Sequence, residues 1–212
     1  MYFTYLNLPP IPMYLEEKIL SIVDNPAANF HDTDAMIKHI EQHRNDLNIT
    51  ASKEIIDAIV NSDYNAADSL GFPISEADKH FNNLAMFDFL EVPDELTLWA
   101  KENIDVNVGY VSIQVMYNGT TITPHIDEMR KYAYNYIISS GGEAQTSFYK
   151  PALKYLNYKS YARTIFPFDR IEEIEKIKIE ERRWHRLDTS IIHGVSNLDT
   201  NKKRISLSLS FI

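Results

Sequence analysis

Hydrophobic positions in the first hundred residues recur at the spacing of amphipathic helices. This spacing predicts helices over Tyr14–Val23, from a cap at Asp32 to about Arg44, over Ser52–Val60 and over Asp94–Asn103. The last of these follows a proline and begins with two acidic residues, which suit the amino-terminal end of a helix dipole. The amino-terminal region is therefore expected to be mainly helical.

The period changes near Val106, where apolar and polar residues begin to alternate. Val108–Tyr117 (VGYVSIQVMY) is rich in β-branched and aromatic residues, and Asn118-Gly119 after it is a hairpin turn signal. Many short strands without a long helix indicate a β-sandwich or barrel. We therefore expect a helical region, 1–105, packed on a β core, 106–212. Further strands are predicted over 121–127, 132–139, 145–149, 163–168, 175–179, 182–187, 190–195 and 204–211.

Charge is distributed unevenly along the chain. Residues 1–100 contain 5 Lys and Arg against 17 Asp and Glu, whereas residues 101–212 contain 16 against 13. An acidic first half would repel a phosphate backbone, and neither half has the dense basic stripe of a nucleic-acid-binding protein, so nucleic acid is disfavoured as a partner. The mixed-charge segment 170–186 (RIEEIEKIKIEERRWHR) is expected to be a solvated strand pair or a lid.

Cysteine and long apolar segments are absent from the sequence. With no cysteine, neither disulfides nor a thiolate metal site can form. No apolar run approaches the roughly 20 residues that span a bilayer, and the first residues lack the basic segment of a secretory signal. These observations favour a cytoplasmic protein that does not enter a membrane.

Two histidines and one aspartate are placed where they can converge on one metal ion. His125 and Asp127 end a predicted strand and, two residues apart, project from the same face. His193 ends another β-rich stretch. Two imidazoles and a carboxylate can form the facial triad of non-haem iron oxygenases, which leaves adjacent coordination positions open. Taken singly, the His-x-Asp could be a surface ion pair, and His193 a hydrogen-bonded core residue.

A second polar pair begins the last predicted strand. Arg204 and Ser206 share one face, while Leu207 and Leu209 take the other. A guanidinium fork with a nearby hydroxyl suits the distal carboxylate of a dicarboxylic acid. The alternative is that Arg204 belongs to a basic turn with the two lysines before it.

Five motifs in this order resemble the 2-oxoglutarate/Fe(II)-dependent oxygenases. The resemblance covers about Tyr110 to Phe211, roughly half the chain, and is carried by ITPHID, RKYAYNYIIS, TSFYKP, LDTSIIHGVSN and RISLSLSF. It implies a double-stranded β-helix core of the jelly-roll or cupin type. It also implies that His125, Asp127 and His193 are catalytic ligands of Fe(II), that Arg204 with Ser206 binds 2-oxoglutarate, that O₂ is consumed, and that ascorbate stimulates turnover.

Three further positions match the family's cosubstrate contacts. Asn135 lies on the strand after the His-x-Asp, and Gln114 and Tyr117 lie on the strand before it. Strand alternation sends Gln114 and Tyr117 to opposite faces, so at most one is expected to point inward unless the strand is bulged. Arg130 could pair with an anionic substrate or lie on the surface.

The resemblance implies hydroxylation with release of succinate and CO₂. The motif RKYAYNYIIS is similar to small, prolyl-hydroxylase-like members, so the expected substrate is a peptide or protein side chain, prolyl or similar, or else a small molecule. Trp184 within the charged segment could form part of a rim that receives an extended chain. Two alternatives stay open: a cupin-type metalloenzyme that does not use 2-oxoglutarate, and a non-catalytic binding module on the same fold.

Overall fold

Two six-stranded antiparallel sheets form the body of the protein in the ranges that the structure describes. The computed structural model describes residues 2–24, 52–60, 63–71, 88–90, 92–116, 121–127, 130–152, 158–159, 163–196, 198–199 and 201–211. The strands there are β1 (Phe3–Tyr5), β2 (Asp88–Leu90), β3 (Val108–Met116), β4 (Ile122–Asp127), β5 (Tyr132–Ser140), β6 (Gln145–Pro151), β7 (Tyr158–Lys159), β8 (Arg163–Ile165), β9 (Ile171–Ile177), β10 (Trp184–Asp188), β11 (Ile192–Ser196) and β12 (Arg204–Phe211).

The core strands are divided between the two sheets. The first sheet has the order β1-β10-β5-β12-β3-β2, and the second has the order β7-β8-β4-β11-β6-β9. From β3 to β6, and again from β9 to β12, each strand lies in the sheet opposite to the strand before it. This alternation between two facing sheets is the double-stranded β-helix, the jelly-roll or cupin-type architecture. The predicted fold class, mainly β with N-terminal helices, is confirmed.

Helices cover the outer face of the first sheet. Leu15 and Ile19 from helix α1 (Met13–Asp24) and Leu96 from helix α4 (Asp94–Asn103) form one buried apolar cluster with Ile113 and Leu207 of the sheet. Burying each of these side chains contributes roughly 1.5–3 kcal/mol. The opposite face of the same sheet is thereby left to face the second sheet. The helices in the described ranges are α1 (Met13–Asp24), α2 (Lys53–Val60), α3 (Tyr64–Ser69) and α4 (Asp94–Asn103).

Buried polar bonds fasten the N-terminal segment to this outer face. Glu16, only 5% exposed, accepts hydrogen bonds from the Tyr136 hydroxyl at 2.8 Å and from Arg182 Nε at 2.9 Å. The indole Nε1 of Trp184 donates to the carbonyl oxygen of Pro9 at 2.9 Å. Trp184 is 1% exposed. The expectation that it forms part of a substrate rim is therefore wrong.

Most strand boundaries agree with the sequence-based predictions to within two residues, namely those of β3 to β6 and β10 to β12. The predicted helices α1, α2 and α4 are also present. β9 begins at Ile171, four residues earlier than predicted, and most of its side chains are exposed. The segment 170–186 is nevertheless not solvated throughout, because its last residues enter β10, where Trp184 and His185 are buried.

The strand predicted over 163–168 is present as β8 but ends at Ile165. Three other elements of two or three residues escaped prediction because they are too short to display a period. β1, β2 and β7 are of this kind. β1 pairs with β10 and β2 with β3, and the division of the chain at residue 105 stays a prediction. The predicted helix from Asp32 to about Arg44 and the turn at Asn118-Gly119 lie outside the described residues. None of the helices in the described ranges is long and apolar enough to cross a membrane.

Candidate metal centre and anion site

His125, Asp127 and His193 come together on the inner face of the second sheet. β4 carries the first two residues, and β11 places His193 directly opposite His125 in the antiparallel register. One potential ligand atom from each side chain lies within 4.8 Å of the others. His125 Nε2 is 3.4 Å from Asp127 Oδ1, and the two imidazole centroids are 4.4 Å apart. This group can therefore hold a metal ion.

Backbone carbonyl groups orient both imidazole rings. Nδ1 of His125 lies 2.8 Å from the carbonyl oxygen of Thr123, and Nδ1 of His193 lies 2.9 Å from that of Ile191. Because a carbonyl oxygen only accepts, each Nδ1 carries the proton and donates it, so Nε2 is the ring nitrogen that can coordinate a metal. The donor set of two imidazole nitrogens and one carboxylate oxygen therefore fits a divalent transition metal such as Fe(II).

A bulge and a glycine bring the two ligand strands into position. Between His193 and Val195 the partner positions on β4 move from His125 to Ile122, so β4 contains one extra residue there. At Gly194, a Cβ atom would lie 2.7 Å from the carbonyl oxygen of Ile122. Only glycine allows this close approach without a backbone shift, which explains the glycine directly after His193.

Arg130 orients Asp127, the carboxylate of the candidate metal group. Its Nε donates to Asp127 Oδ2 at 3.0 Å, and its Nη1 donates to the hydroxyl of Ser208 at 3.0 Å. The carbonyl oxygen of Arg130 accepts a hydrogen bond from Thr189 Oγ1 at 2.6 Å. Arg130 thus links the metal-ligand strand of one sheet to β12 of the other. It pairs with a ligand carboxylate and also lines the cavity beside the triad, and its pairing with an anionic substrate stays one of the two alternatives that the sequence left open.

A cavity of ≈ 80 Å³ lies between the two sheets and is lined by residues from both. The triad lines it from the second sheet. Arg204, Ser206, Gln114 and Asn135 line it from the first sheet, where Ser206 pairs with Gln114 across β12 and β3. Four predicted cosubstrate contacts are thus brought to the same cavity as the triad. The fifth, Tyr117, lies outside the described residues.

Arg204 is a buried cation that lines the cavity. It is 7% exposed, and among the described residues no carboxylate lies within ion-pair distance of its guanidinium. Burial lowers its pKa to about 10, with a smaller opposing effect from Glu181. The group is therefore still charged at neutral pH. Leu207 and Leu209 take the opposite face of β12 and pack in the helix-covered cluster, as the alternation predicted.

His185 also lines the cavity, and sequence reasoning did not identify it. It lies on β10 opposite Asn135 and is 1% exposed. In the sequence, the segment 170–186 resembles a solvated one because three arginines surround His185, namely Arg182, Arg183 and Arg186. A usable signal was the alternation of Trp184, His185, Arg186 and Leu187, in which His185 shares a face with a leucine.

His185 is expected to reduce stability in acid. Burial, with a further effect from the charge of Arg204, lowers its pKa to about 3 in the folded protein, against about 6.5 for an exposed histidine. Between these values the unfolded chain binds a proton that the folded chain does not. The free energy of unfolding therefore falls as the pH drops from about 6.5 toward 3, by about 2 kcal/mol at pH 5.

Denaturant unfolding of the metal-free protein at pH 7 and pH 5 measures this effect. His185→Gln, which does not titrate, should lose less stability between the two pH values by about 2 kcal/mol. Contributions from all other groups are common to both proteins and cancel in the comparison. The same pH dependence in both proteins would show that His185 does not carry this proton linkage.

Comparisons with known proteins add little beyond the architecture. The sequence matches no family model and no curated protein. Solved structures that match include oxalate decarboxylase from Bacillus subtilis (TM-score 0.28) and vicilin from Corylus avellana, the hazelnut (TM-score 0.31), both at 14% identity. The matches cover 47% and 48% of this chain, but only 20% and 24% of those chains. Likeness at this level carries no functional argument. The strand order itself identifies the core as a double-stranded β-helix of the cupin type.

Proposed function

We propose that this protein is an Fe(II)- and 2-oxoglutarate-dependent oxygenase that hydroxylates a side chain of a peptide or protein, or a small molecule. The proposal combines the family resemblance of the motifs with two features of one cavity: a His-Asp-His group suited to a metal, and a buried guanidinium that has no carboxylate partner in the described ranges. Neither feature alone indicates this chemistry. Together they provide sites for the two ends of a 2-oxo dicarboxylic acid.

The single observation that carries the proposal is the burial of Arg204 with no carboxylate partner among the described residues. A buried charge is costly unless another group compensates it, and removal of one partner from a buried ion pair typically costs about 3–5 kcal/mol. A ligand carboxylate would compensate Arg204, and the Ser206 hydroxyl beside it could donate a further hydrogen bond. A metal site that binds no anion would not explain why the charged side chain of Arg204 is buried in the cavity.

The iron would be held by Nε2 of His125, Nε2 of His193 and a carboxylate oxygen of Asp127. Bound Fe(II) supplies the oxidising chemistry, in which O₂ is consumed and 2-oxoglutarate is converted to succinate and CO₂. The remaining tasks belong to the chain's own side chains. Arg204 and Ser206 would orient the cosubstrate, and Arg130 keeps Asp127 in place.

The substrate class and the cellular location are also proposals. An acidic first half disfavours a nucleic acid, and burial of Trp184 removes the rim that favoured an extended peptide. We retain both a peptide or protein side chain and a small molecule as substrate classes. A cytoplasmic location is proposed from the absence of cysteine.

A cupin-type metalloenzyme that does not use 2-oxoglutarate is the second candidate. The His-Asp-His group by itself suits this class equally well, because it can hold other divalent metals. A non-catalytic binding module is the third candidate. Neither alternative requires an anion at Arg204.

Succinate formation separates the three candidates. We expect the purified protein with Fe(II), ascorbate and O₂ to convert 2-oxoglutarate to succinate, slowly alone and faster when a substrate from a peptide or metabolite library is present. Products should gain one oxygen atom, seen as a mass increase of about 16 Da by mass spectrometry. Metal binding without 2-oxoglutarate binding would favour the cupin-type alternative, and the binding of neither would favour the binding module.

A further inference from the structure

His185 occupies the cavity face without belonging to the metal group. Its register places it opposite Asn135 on β5, and Asn135 in turn lies opposite Ser208 on β12, the strand that also carries Arg204 and Ser206. Paired residues in an antiparallel sheet share a face. His185 therefore belongs to the face of the first sheet that lines the cavity and looks toward the triad.

Hydrogen bonding leaves this imidazole available to a ligand. Among the described residues, its one side-chain hydrogen bond joins Nδ1 to the carbonyl oxygen of Arg183 at 3.4 Å, beyond the usual range for such bonds. The corresponding bonds of His125 and His193 measure 2.8 and 2.9 Å. A backbone carbonyl thus fixes the proton on Nδ1 of His125 and of His193. For His185 the corresponding bond is long, so the backbone favours that tautomer only weakly.

Packing alone does not account for a histidine at this position. The ring contacts the apolar ring of Phe3 at a centroid distance of 5.4 Å and is 1% exposed. A leucine or phenylalanine would fill such a place without burying polar nitrogens. Proximity to Arg204 also disfavours protonation of the imidazole, so the ring is held neutral. A neutral imidazole can donate one proton to an anion without itself requiring a counter-charge.

We propose that His185 is a third binding group for the distal carboxylate of the oxo acid, donating a hydrogen bond beside the Arg204 and Ser206 contacts. This inference rests on the proposed function and extends it. It assigns the anion site a cation, a hydroxyl and a neutral nitrogen donor. Such a set favours a dicarboxylic oxo acid over one that ends in a methyl group.

Ligand binding to the Mn(II)-loaded protein tests this role, since Mn(II) can occupy the triad without turnover. Isothermal titration would measure the Kd of 2-oxoglutarate and of 2-oxobutyrate, which lacks the distal carboxylate. His185→Phe should weaken 2-oxoglutarate about tenfold, the usual value of one hydrogen bond to a charged group. Its Mn(II) affinity and its Kd for 2-oxobutyrate should change less than about twofold. His185→Gln, whose amide can donate, should recover most of the loss.

Two results would overturn the role of His185 while leaving the proposed function intact: an unchanged 2-oxoglutarate Kd in His185→Phe, or an equal loss for both oxo acids. If the wild-type protein binds Mn(II) but not 2-oxoglutarate, the proposed function fails and this inference fails with it. Nitrogen NMR of the wild-type Zn(II) form gives a readout that does not depend on how the variants fold. Addition of 2-oxoglutarate should shift the ring nitrogens of His185, and unshifted signals at saturation would contradict the proposal.

Discussion

His125→Ala, Asp127→Ala and His193→Ala should each weaken the binding of Fe(II) or Mn(II) by at least about a hundredfold and abolish 2-oxoglutarate turnover. Each substitution removes one of three ligand atoms that lie within 4.8 Å of one another. The two histidine variants also lose a ring that a backbone carbonyl orients. Asp127→Ala in addition leaves Arg130 without its carboxylate partner.

Metal titration followed by electron paramagnetic resonance of free Mn(II) measures the affinity, and succinate release measures turnover. Asp169→Ala is a suitable control, because that carboxylate is 72% exposed and pairs only with its neighbour Arg170 among the described residues. It should bind metal as the wild type does. Folding of each variant is checked by circular dichroism. Undiminished metal affinity in any one folded triad variant would remove that residue from the site.

Arg204→Ala should raise the 2-oxoglutarate Kd strongly and leave metal affinity nearly unchanged. Loss of a charge-assisted contact to a carboxylate is worth about 2–3 kcal/mol, which corresponds to roughly 30- to 150-fold in Kd. Arg204→Lys should recover only part of the affinity, since an ammonium group cannot reproduce the planar fork. Lys202→Ala is the matched control. That lysine precedes Arg204 by two residues, is 62% exposed and pairs with Asp199.

Stability of the unliganded protein distinguishes a ligand-binding arginine from a structural one. Because the guanidinium is buried without a carboxylate partner within the described ranges, Arg204→Met should maintain or increase the thermal midpoint while 2-oxoglutarate binding is lost. A structural arginine would give the opposite result, with a lower midpoint and a cosubstrate Kd that changes little. Thermal melts with and without 2-oxoglutarate provide both values. An unchanged cosubstrate Kd in Arg204→Ala would refute the assignment of Arg204 to the cosubstrate carboxylate.

The core strands and the candidate ligands could be predicted because their signals are local. β3, β4 and β12 alternate apolar and polar residues over six to nine positions, long enough for a period of two to be recognised. The same alternation showed that His125 and Asp127 share a face and that Arg204 and Ser206 oppose Leu207. β1, with three residues, has no such pattern, and only its pairing with β10 makes it a strand.

The order of the motifs along the chain indicated which residues belong together, but not how they meet. His125 and His193 are far apart in sequence and lie side by side only because β4 and β11 are neighbours in the second sheet. The role of Arg130 was also undecided in the sequence, since an arginine three residues after an aspartate can face a ligand, a substrate or solvent. Its bond to Ser208, from the opposite sheet, directs it to Asp127.

By itself, then, the sequence determined the class of fold, most core strands and the residue types of a metal and anion site. These follow from side-chain periodicity and ligand chemistry, which act over a few residues. Tertiary structure decided which imidazole nitrogens can coordinate a metal, that Gly194 must lack a side chain, that Arg204 has no carboxylate partner in the described ranges and that His185 enters the cavity. Each of these depends on contacts between strands distant in sequence. Burial and register therefore had to be observed, because a local pattern does not contain them.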